Sequence, residues 1–140
     1  MAAVGFSLSK IALERKESSI AKLEIKSSIH LSGVSKDKLK LIANKDTLKI
    51  NFEYNLEYAP NLATIKFAGI ILYAADPSES DNIIKEFKKS GKLGKDLQTG
   101  IYNFIFQRCN IKALQLEQEL SLPAHIRLPY LSLNEKESKK

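Results

Sequence analysis

Strict alternation of hydrophobic and polar residues marks the middle of the chain. In residues 47–58, TLKINFEYNLEY, every second residue is apolar, and a period of two is typical of a half-buried β-strand. After a turn composition at 59–61, residues 62–73 are again rich in β-branched and aromatic side chains. The two segments therefore predict a hairpin. Its second strand is expected to be covered on both faces, because only Thr64 and Lys66 are plainly polar.

Two further strands are predicted upstream of this hairpin. Residues 20–31 alternate between apolar and polar side chains, which indicates a strand with one solvated face. Residues 4–15 also alternate, but the apolar phase slips by one position, and this predicts a β-bulge near Ser9 and Lys10. The lysine-rich residues 32–46 fit a long solvated connection or a short irregular strand, and we interpret them as a loop.

The hydrophobic period changes to that of a helix at Asp76. The sequence Asp76-Pro77-Ser78-Glu79 predicts a capping box, and the helix that it opens is expected to end at Gly91. Apolar residues at spacings of three and four then predict a second helix over residues 96–120. The predicted fold class is thus α+β, with a four-stranded antiparallel sheet followed by a short helix and a long helix.

The long helix is apolar on more than one side. One stripe includes Leu97, Ile101 and Ile105, whereas Tyr102 and Phe106, together with Ile111 and Leu114, point away from it. A helix of this length extends roughly 37 Å, more than the width of a small sheet. We therefore expect one face to cover its own sheet and another to contact a second subunit, which predicts a homo-oligomer, a dimer or a tetramer.

The chain length fits one domain, which we place at residues 1–133. Pro123 and Pro129 favour an extended backbone over 122–133, and the charged residues 134–140 predict a disordered tail. One cysteine excludes an internal disulfide, and no signal peptide or apolar run long enough to cross a bilayer is present. A cytoplasmic protein without membrane insertion is expected.

The chemistry of the side chains argues against an enzyme. His30 and His125 lie apart with no clustered ligands, so neither a metal site nor a cofactor is predicted. Cys109 falls on the packed face of the long helix, where a buried, inert thiol is expected, although Arg108 beside it could lower the pKa.

A net charge of +6 permits nucleic acid or an acidic partner without requiring either. The basic turn GKLGKD fails as a P-loop, because its glycines are three apart and Asp96 replaces the Ser or Thr that would hold magnesium. It fits better as a GxxG loop between two helices, with Lys92, Gly94 and Lys95 binding a nucleic-acid backbone. That module needs a strand after its second helix, and a helix C-cap followed by a short turn explains the same residues.

Four segments together resemble the SecB chaperone family. They are the strand TLKINFEYNLEY, the strand end AGIILY, the helical stretch IYNFIFQRCNIKAL and the proline-spaced LPAHIRLPYL. The resemblance implies a sheet packed on helices, assembled as a dimer of dimers. It also implies an ATP-independent holdase that binds non-native polypeptides in apolar grooves, either for export or to protect an antitoxin.

The aromatic residues supply the groove candidates, although a plain core explains many of them equally well. Transferred by position, the candidates are Phe52, Tyr54, Phe67, Phe104, Phe106, Leu128 and Tyr130. Export members of the family are acidic and dock the secretion motor through acidic surface, whereas this chain is basic. Docking to that motor is therefore not expected.

Overall fold

The computed structural model contains a four-stranded antiparallel sheet followed by two helices. It describes residues 2–16, 24–39, 42–59 and 62–126. The α+β fold class predicted from the sequence is confirmed. The elements in chain order are β1 (Ala2–Arg15), β2 (Glu24–Asp37), β3 (Asp46–Ala59), β4 (Ala63–Ala75), α1 (Pro77–Ser90) and α2 (Lys95–Glu119).

The strands lie in the order β1-β4-β3-β2, and each neighbouring pair is antiparallel. The predicted hairpin of β3 and β4 therefore forms the centre of the sheet, with Tyr54 opposite Phe67. Although β1 and β2 are consecutive in the chain, they lie at opposite edges. The sheet thus has two edge strands that are paired on one side only.

Burial follows the alternation of β3. The six apolar side chains on one face are almost completely buried: Leu48, Ile50, Phe52, Tyr54, Leu56 and Tyr58. The corresponding inward residues of β4, such as Ile65 and Phe67, are buried with them. The sequence predicted that both faces of β4 would be covered. The face that carries Ile70 and Leu72 is only half-buried in the single chain.

The edge strands differ from the sequence-based picture in one place. The prediction of a loop over residues 32–46 is wrong for residues 32–37, because β2 continues to Asp37 and pairs there with Thr47. The predicted bulge in β1 is confirmed by a register shift between Leu8 and Lys10. A bulge bends a strand locally, so β1 can follow the twist of β4.

A glycine allows β1 to lie close to β4 at this bulge. A Cβ atom on Gly69 would lie 2.3 Å from the carbonyl oxygen of Ser7 and 3.1 Å from Cζ of Phe52. No side chain fits there unless the strand backbone moves. Gly69 therefore brings Phe52 of β3 close to the first residues of β1.

The helices begin and end close to the predicted residues. Pro77 occupies the first turn of α1, and Gly91 ends it in the left-handed conformation at φ 75°. The predicted capping box is wrong, because Asp76 forms no side-chain cap hydrogen bond and instead accepts one from Lys45 Nζ at 2.8 Å. The described chain ends at Ile126, so the predicted tail at 134–140 lies outside the described residues.

Candidate functional site

The long helix α2 packs one row of side chains against the sheet. The row takes every fourth residue of the helix, and all five of its residues are buried: Ile101, Ile105, Cys109, Ala113 and Glu117. The apolar residues beside the row, including Tyr102, Phe104 and Phe106, are only half-buried, and Ile111 is 63% exposed. Because the apolar residues are spread around the helix, one sheet cannot cover them all.

Where α2 lies next to β1, the half-buried Phe104 contacts the half-buried Phe6 of β1, and the exposed Arg108 lies over both rings. We call Phe6, Phe104 and Arg108 the aromatic ledge. The rings of Phe6 and Phe104 meet edge to face with centroids 5.8 Å apart, and Phe6 stacks on the buried Phe52 at 5.5 Å. The guanidinium of Arg108 lies 4.7 Å from the Phe104 ring centroid and 5.6 Å from that of Phe6. The ledge therefore combines an apolar surface with a solvent-exposed cation.

A second opening lies at the C-terminal end of α2. Residues 122–126, which we call the strap, run beside this end of the helix without regular strand pairing. Between helix and strap is a cleft of about 280 Å³. Its apolar lining comes from Ile111, Leu114, Leu122 and Ala124, and its polar lining comes from Gln115, Glu117 and Gln118. Such a cleft can accept an apolar side chain while the amides bind an extended backbone.

Beneath the strap lies a buried polar network. His125 Nδ1 is 2.7 Å from Glu117 Oε2, and His125 Nε2 is 2.9 Å from Asn110 Oδ1. The Tyr54 hydroxyl donates to the same Asn110 oxygen at 2.9 Å, and the Tyr58 hydroxyl donates to the Glu117 carboxylate. The side chains of His125 and Glu117 are only 4% and 2% exposed. We call these five residues the strap network.

The strap network joins three parts of the fold. Tyr54 and Tyr58 belong to β3, Asn110 and Glu117 belong to α2, and His125 belongs to the strap. The Tyr58 hydroxyl also lies 2.7 Å from the carbonyl oxygen of Pro123. Because a buried polar group without a partner is costly, these mutual contacts hold the strap in one position against the helix.

The edge strand β1 also holds the C-terminal end of α2 in place. Arg15 of β1 donates to the carbonyl oxygens of Leu120 and Ser121 at 2.6 and 2.7 Å. A cation at this position also suits the negative end of the helix dipole. Ser121 itself has a left-handed backbone with φ 55°, and the amide of Leu122 returns to the carbonyl of Glu117 at 2.8 Å. The chain therefore reverses into the strap immediately after the helix.

Burial raises the pKa of three side chains in and beside the strap network: Tyr54, Tyr58 and Cys109. Desolvation raises the pKa of Tyr54 and of Tyr58 above the usual tyrosine value, and for Tyr58 the hydrogen bond to Glu117 raises it further. Burial also raises the pKa of Cys109 to about 12. The thiol therefore stays protonated at neutral pH, as expected for an inert cysteine, and Arg108 does not activate it.

The groove candidates from the sequence separate into three groups. Phe52, Tyr54 and Phe67 are at most 1% exposed and belong to the core of the single chain, so none is accessible in this conformation. Phe104 and Phe106 are half-buried beside α2. Leu128 and Tyr130 lie outside the described residues. A role for any of these residues in binding stays a prediction, and the structure favours Phe104 and Phe106 as the accessible ones.

The alternative binding loop has a structural explanation within the fold. The amide of Gly91 binds the carbonyl of Phe87 at 2.7 Å and caps α1, while Leu93 is buried. Lys92, Gly94 and Lys95 are exposed, but in the described chain α2 is followed by the strap and not by the strand that a GxxG module needs. The nucleic-acid alternative therefore gains no support.

Several residues of the site were not identified from the sequence. Glu117 and Asn110 look like ordinary polar positions of a helix, and His125 looks like a lone histidine between two prolines. A partial signal was available, because Glu117 lies on the otherwise apolar row that contains Cys109 and Ala113. A carboxylate on such a row is rarely buried without a partner.

Comparison with known proteins adds a structural relative. No protein-family profile matches the sequence, and no curated protein sequence matches it significantly. Among solved structures, the fold is similar to that of the Mycobacterium tuberculosis SecB-like chaperone Rv1957, which was determined in complex with a ChAD peptide from the HigA1 antitoxin Rv1956. The TM-score is 0.59 at 16% identity, over 94% of this chain and 89% of that chain. The chain thus has a SecB-like fold.

Two other properties bear on the kind of site. Among the residues that the structure describes, no group of three or more histidine, cysteine or acidic side chains is placed to hold a metal ion. In the same part of the chain, neither helix combines the length and apolarity needed to cross a bilayer. Beside α2, the described chain offers the aromatic ledge, the exposed Ile111 and the strap cleft as apolar surface.

Proposed function

We propose that this protein is an ATP-independent chaperone that binds non-native polypeptides on the apolar surface beside α2. The observation that carries the proposal is the SecB-like fold, which brings half-buried aromatic rings and the exposed Ile111 to one helix. Apolar contacts are non-directional, so a surface of this kind can bind many sequences in extended form. Proteins that do so need no catalytic group and no cofactor.

The binding surface divides into two parts along α2. The aromatic ledge offers ring faces beside β1, and the strap cleft offers an apolar opening with two amide side chains. A client segment that contacts both would be held by several weak interactions, which gives low specificity and ready release. Clients of the antitoxin type or of the export type both fit this chemistry.

We also propose that the protein works as a homo-oligomer, a dimer or a tetramer. The solvent-facing crest of α2 carries Ile111 between the amides of Gln107 and Gln115. An apolar side chain flanked along the crest by two uncharged amides suits a contact between two copies of the helix, because these three side chains carry no charge that would have to be desolvated. In such an assembly the crest would be covered, including Ile111 and Gln115 of the cleft. The ledge and the part of the cleft lined by Leu114, Gln118, Leu122 and Ala124 would remain for clients.

Aggregation of a chemically denatured enzyme, followed by light scattering during refolding without nucleotide, tests the chaperone role. The protein is expected to suppress aggregation at a stoichiometric ratio, and Phe104→Ser is expected to weaken suppression. Lys26→Gln, an exposed substitution on β2, is the matched control. Unchanged aggregation in the presence of the wild-type protein would refute the proposal.

The mass in solution tests the assembly separately. Light scattering coupled to size exclusion is expected to give a multiple of the 15.7 kDa chain. Ile111→Glu places a charge on the crest and is expected to yield a monomer, whereas Gln107→Ala is expected to keep the oligomer. A wild-type protein that remains monomeric at high concentration would contradict the predicted oligomer.

A further inference from the structure

The guanidinium of Arg108 has no acidic partner in the described chain. Its contacts are with the faces of Phe104 and Phe6, at 4.7 and 5.6 Å from the ring centroids. The acidic residues that form ion pairs within the described residues are Asp46, Asp76, Asp81 and Glu117, and none of them pairs with Arg108. An exposed arginine whose guanidinium lies over two rings and has no acidic partner in the described chain keeps N–H donors available for another molecule.

The surroundings of Arg108 are positive along the helix. Between Leu97 and Leu116 the only charged residues are Arg108 and Lys112, one turn apart on α2. Lys92 precedes the helix, Lys95 and Asp96 begin it, and all three are exposed. The next carboxylate along the helix, Glu117, is buried in the strap network. The field beside the ledge therefore attracts anions.

We propose that the aromatic ledge recognises client segments in which a carboxylate lies next to an apolar or aromatic side chain. In this arrangement the apolar side chain packs on Phe6 and Phe104, and the carboxylate accepts hydrogen bonds from the Arg108 guanidinium. The planar guanidinium suits this role, because it can donate two parallel hydrogen bonds while its face stays on the ring. This inference rests on the proposed chaperone function and specifies its preferred clients.

The charge of the whole chain agrees with that preference. The net charge is +6, so an acidic client approaches a basic surface and encounters the ledge more often than a basic client does. A basic segment would place its cation against Arg108 and lose affinity by repulsion. The ledge therefore selects by charge, whereas the strap cleft has no exposed cation in its lining, which contains the amides of Gln115 and Gln118 and the buried Glu117.

Fluorescence anisotropy with three dye-labelled peptides tests the inference. The peptides share the sequence Leu-Phe-Xaa-Phe-Leu between glycine-serine ends, and Xaa is Asp, Asn or Lys. The wild-type protein is expected to bind the Asp peptide about three- to tenfold more tightly than the Asn peptide, and the Lys peptide least tightly. High salt is expected to reduce the difference, because exposed charges are screened.

Substitutions at Arg108 assign the preference to the ledge. Arg108→Gln is expected to bind the Asp and Asn peptides equally, and Arg108→Glu to bind the Lys peptide best. Arg108→Lys keeps the charge but lacks the planar face, so a weakened preference for Asp is expected. Lys26→Gln removes the same charge from the remote strand β2 and should behave as the wild type. Since Arg108 and Lys26 are both exposed, all four variants should fold.

Several outcomes would overturn the inference. Equal binding of the three peptides by the wild type would remove the charge preference while leaving the chaperone proposal intact. A preference that survives in Arg108→Gln would move it to another site. If a labelled single-stranded RNA bound more tightly than the Asp peptide and depended on Arg108, the ledge would be a nucleic-acid contact. If Arg108→Glu changed the solution mass, the ledge would be a subunit interface.

Failure of the chaperone proposal itself has a different signature. In that case none of the three peptides binds and aggregation of the denatured enzyme is not suppressed, whatever the residue at position 108. Measuring aggregation and peptide binding on the same protein samples separates these two failures.

Discussion

The strap network and the aromatic ledge lie beside the same helix and use opposite chemistry. Beneath the strap, Tyr54, Tyr58, Asn110, Glu117 and His125 satisfy one another with hydrogen bonds and exclude solvent. At the ledge, Phe6 and Phe104 are half-buried, and their described contacts are with rings and with the guanidinium above them.

This difference explains how the ledge can adapt to different clients while the strap network keeps the strap and α2 in one arrangement. Hydrogen bonds between buried groups are directional, and each broken one leaves an unsatisfied donor or acceptor, so the strap network favours one arrangement. Apolar contacts depend little on direction, so the ledge can accept clients of different shape. The two regions should therefore respond differently to substitution: the first in stability, the second mainly in binding.

Loss of the carboxylate at the centre of the strap network should have the largest effect. Glu117→Ala leaves the Tyr58 hydroxyl and His125 without their shared partner, and we expect a loss of about 3–5 kcal/mol in the free energy of unfolding. Urea denaturation measures it, and Glu119→Ala, an exposed acid two residues later, is the control. A loss close to that of the control would show that the network does not stabilise the strap.

Adding one methyl group at Gly69 tests the close approach of β1 to β4 beside the ledge. Gly69→Ala places a Cβ atom 2.3 Å from the Ser7 carbonyl oxygen, so β1 must move and carry Phe6 with it. We expect a loss of about 3 kcal/mol in stability. Gly33→Ala, in the other edge strand, meets only the end of the Asn51 side chain at 3.3 Å and should cost far less. Equal losses in urea denaturation would contradict this account.

A substitution in the ledge should affect binding more than stability. Phe104→Ala removes a half-buried ring, with an expected loss of about 1–2 kcal/mol in stability. Peptide affinity by anisotropy is expected to fall about tenfold, since an aromatic anchor is lost. Phe87→Ala, another half-buried phenylalanine on α1, should lose similar stability and keep its affinity. The opposite pattern would place the binding surface elsewhere.

Alkaline pH should weaken the buried side of α2, with a smaller effect than these substitutions. The pKa of Cys109 is raised to about 12 and those of Tyr54 and Tyr58 are raised as well. A raised pKa in the folded state favours the neutral form, so its stabilisation is complete below the unfolded pKa and is lost as pH rises. We expect the melting temperature to decline from about pH 9 upward.

The source of this decline can be assigned with two variants. Tyr54→Phe and Cys109→Ala each remove one buried titrating group, so each should show a shallower decline of melting temperature with pH, whatever its value at neutral pH. A wild-type melting temperature that stays constant through about pH 11 would contradict the prediction.

The smallest expected effect is at the turn between α2 and the strap. Ser121 has φ 55°, a conformation that costs a non-glycine residue energy. Ser121→Gly should therefore raise the free energy of unfolding by about 0.5–1 kcal/mol without changing peptide affinity. Ser90→Gly, at the right-handed end of α1, should instead destabilise the protein. Destabilisation by Ser121→Gly in urea denaturation would be the contrary result.

Much of the fold follows from patterns that are local in the sequence. The alternation over Thr47–Tyr58 and the spacing of apolar residues in α2 predicted these elements, because strand and helix periods place side chains on definite faces. Gly91 predicted the end of α1 because glycine adopts the left-handed conformation of a helix end without steric cost. The loop predicted over residues 32–46 was partly wrong, because an edge strand that pairs with β3 needs only a weak pattern of its own.

The sequence by itself determined the period of each segment, the end of α1 and the excess of apolar surface on α2. Only the tertiary structure decided which aromatic residues are core and which are half-buried, since Phe52 and Phe104 have the same chemistry and differ only in what covers them. It also decided that Glu117 becomes the shared partner of His125, eight residues later, and of Tyr58, 59 residues earlier. Such partnerships depend on how β3, α2 and the strap pack together, and no local period encodes that packing.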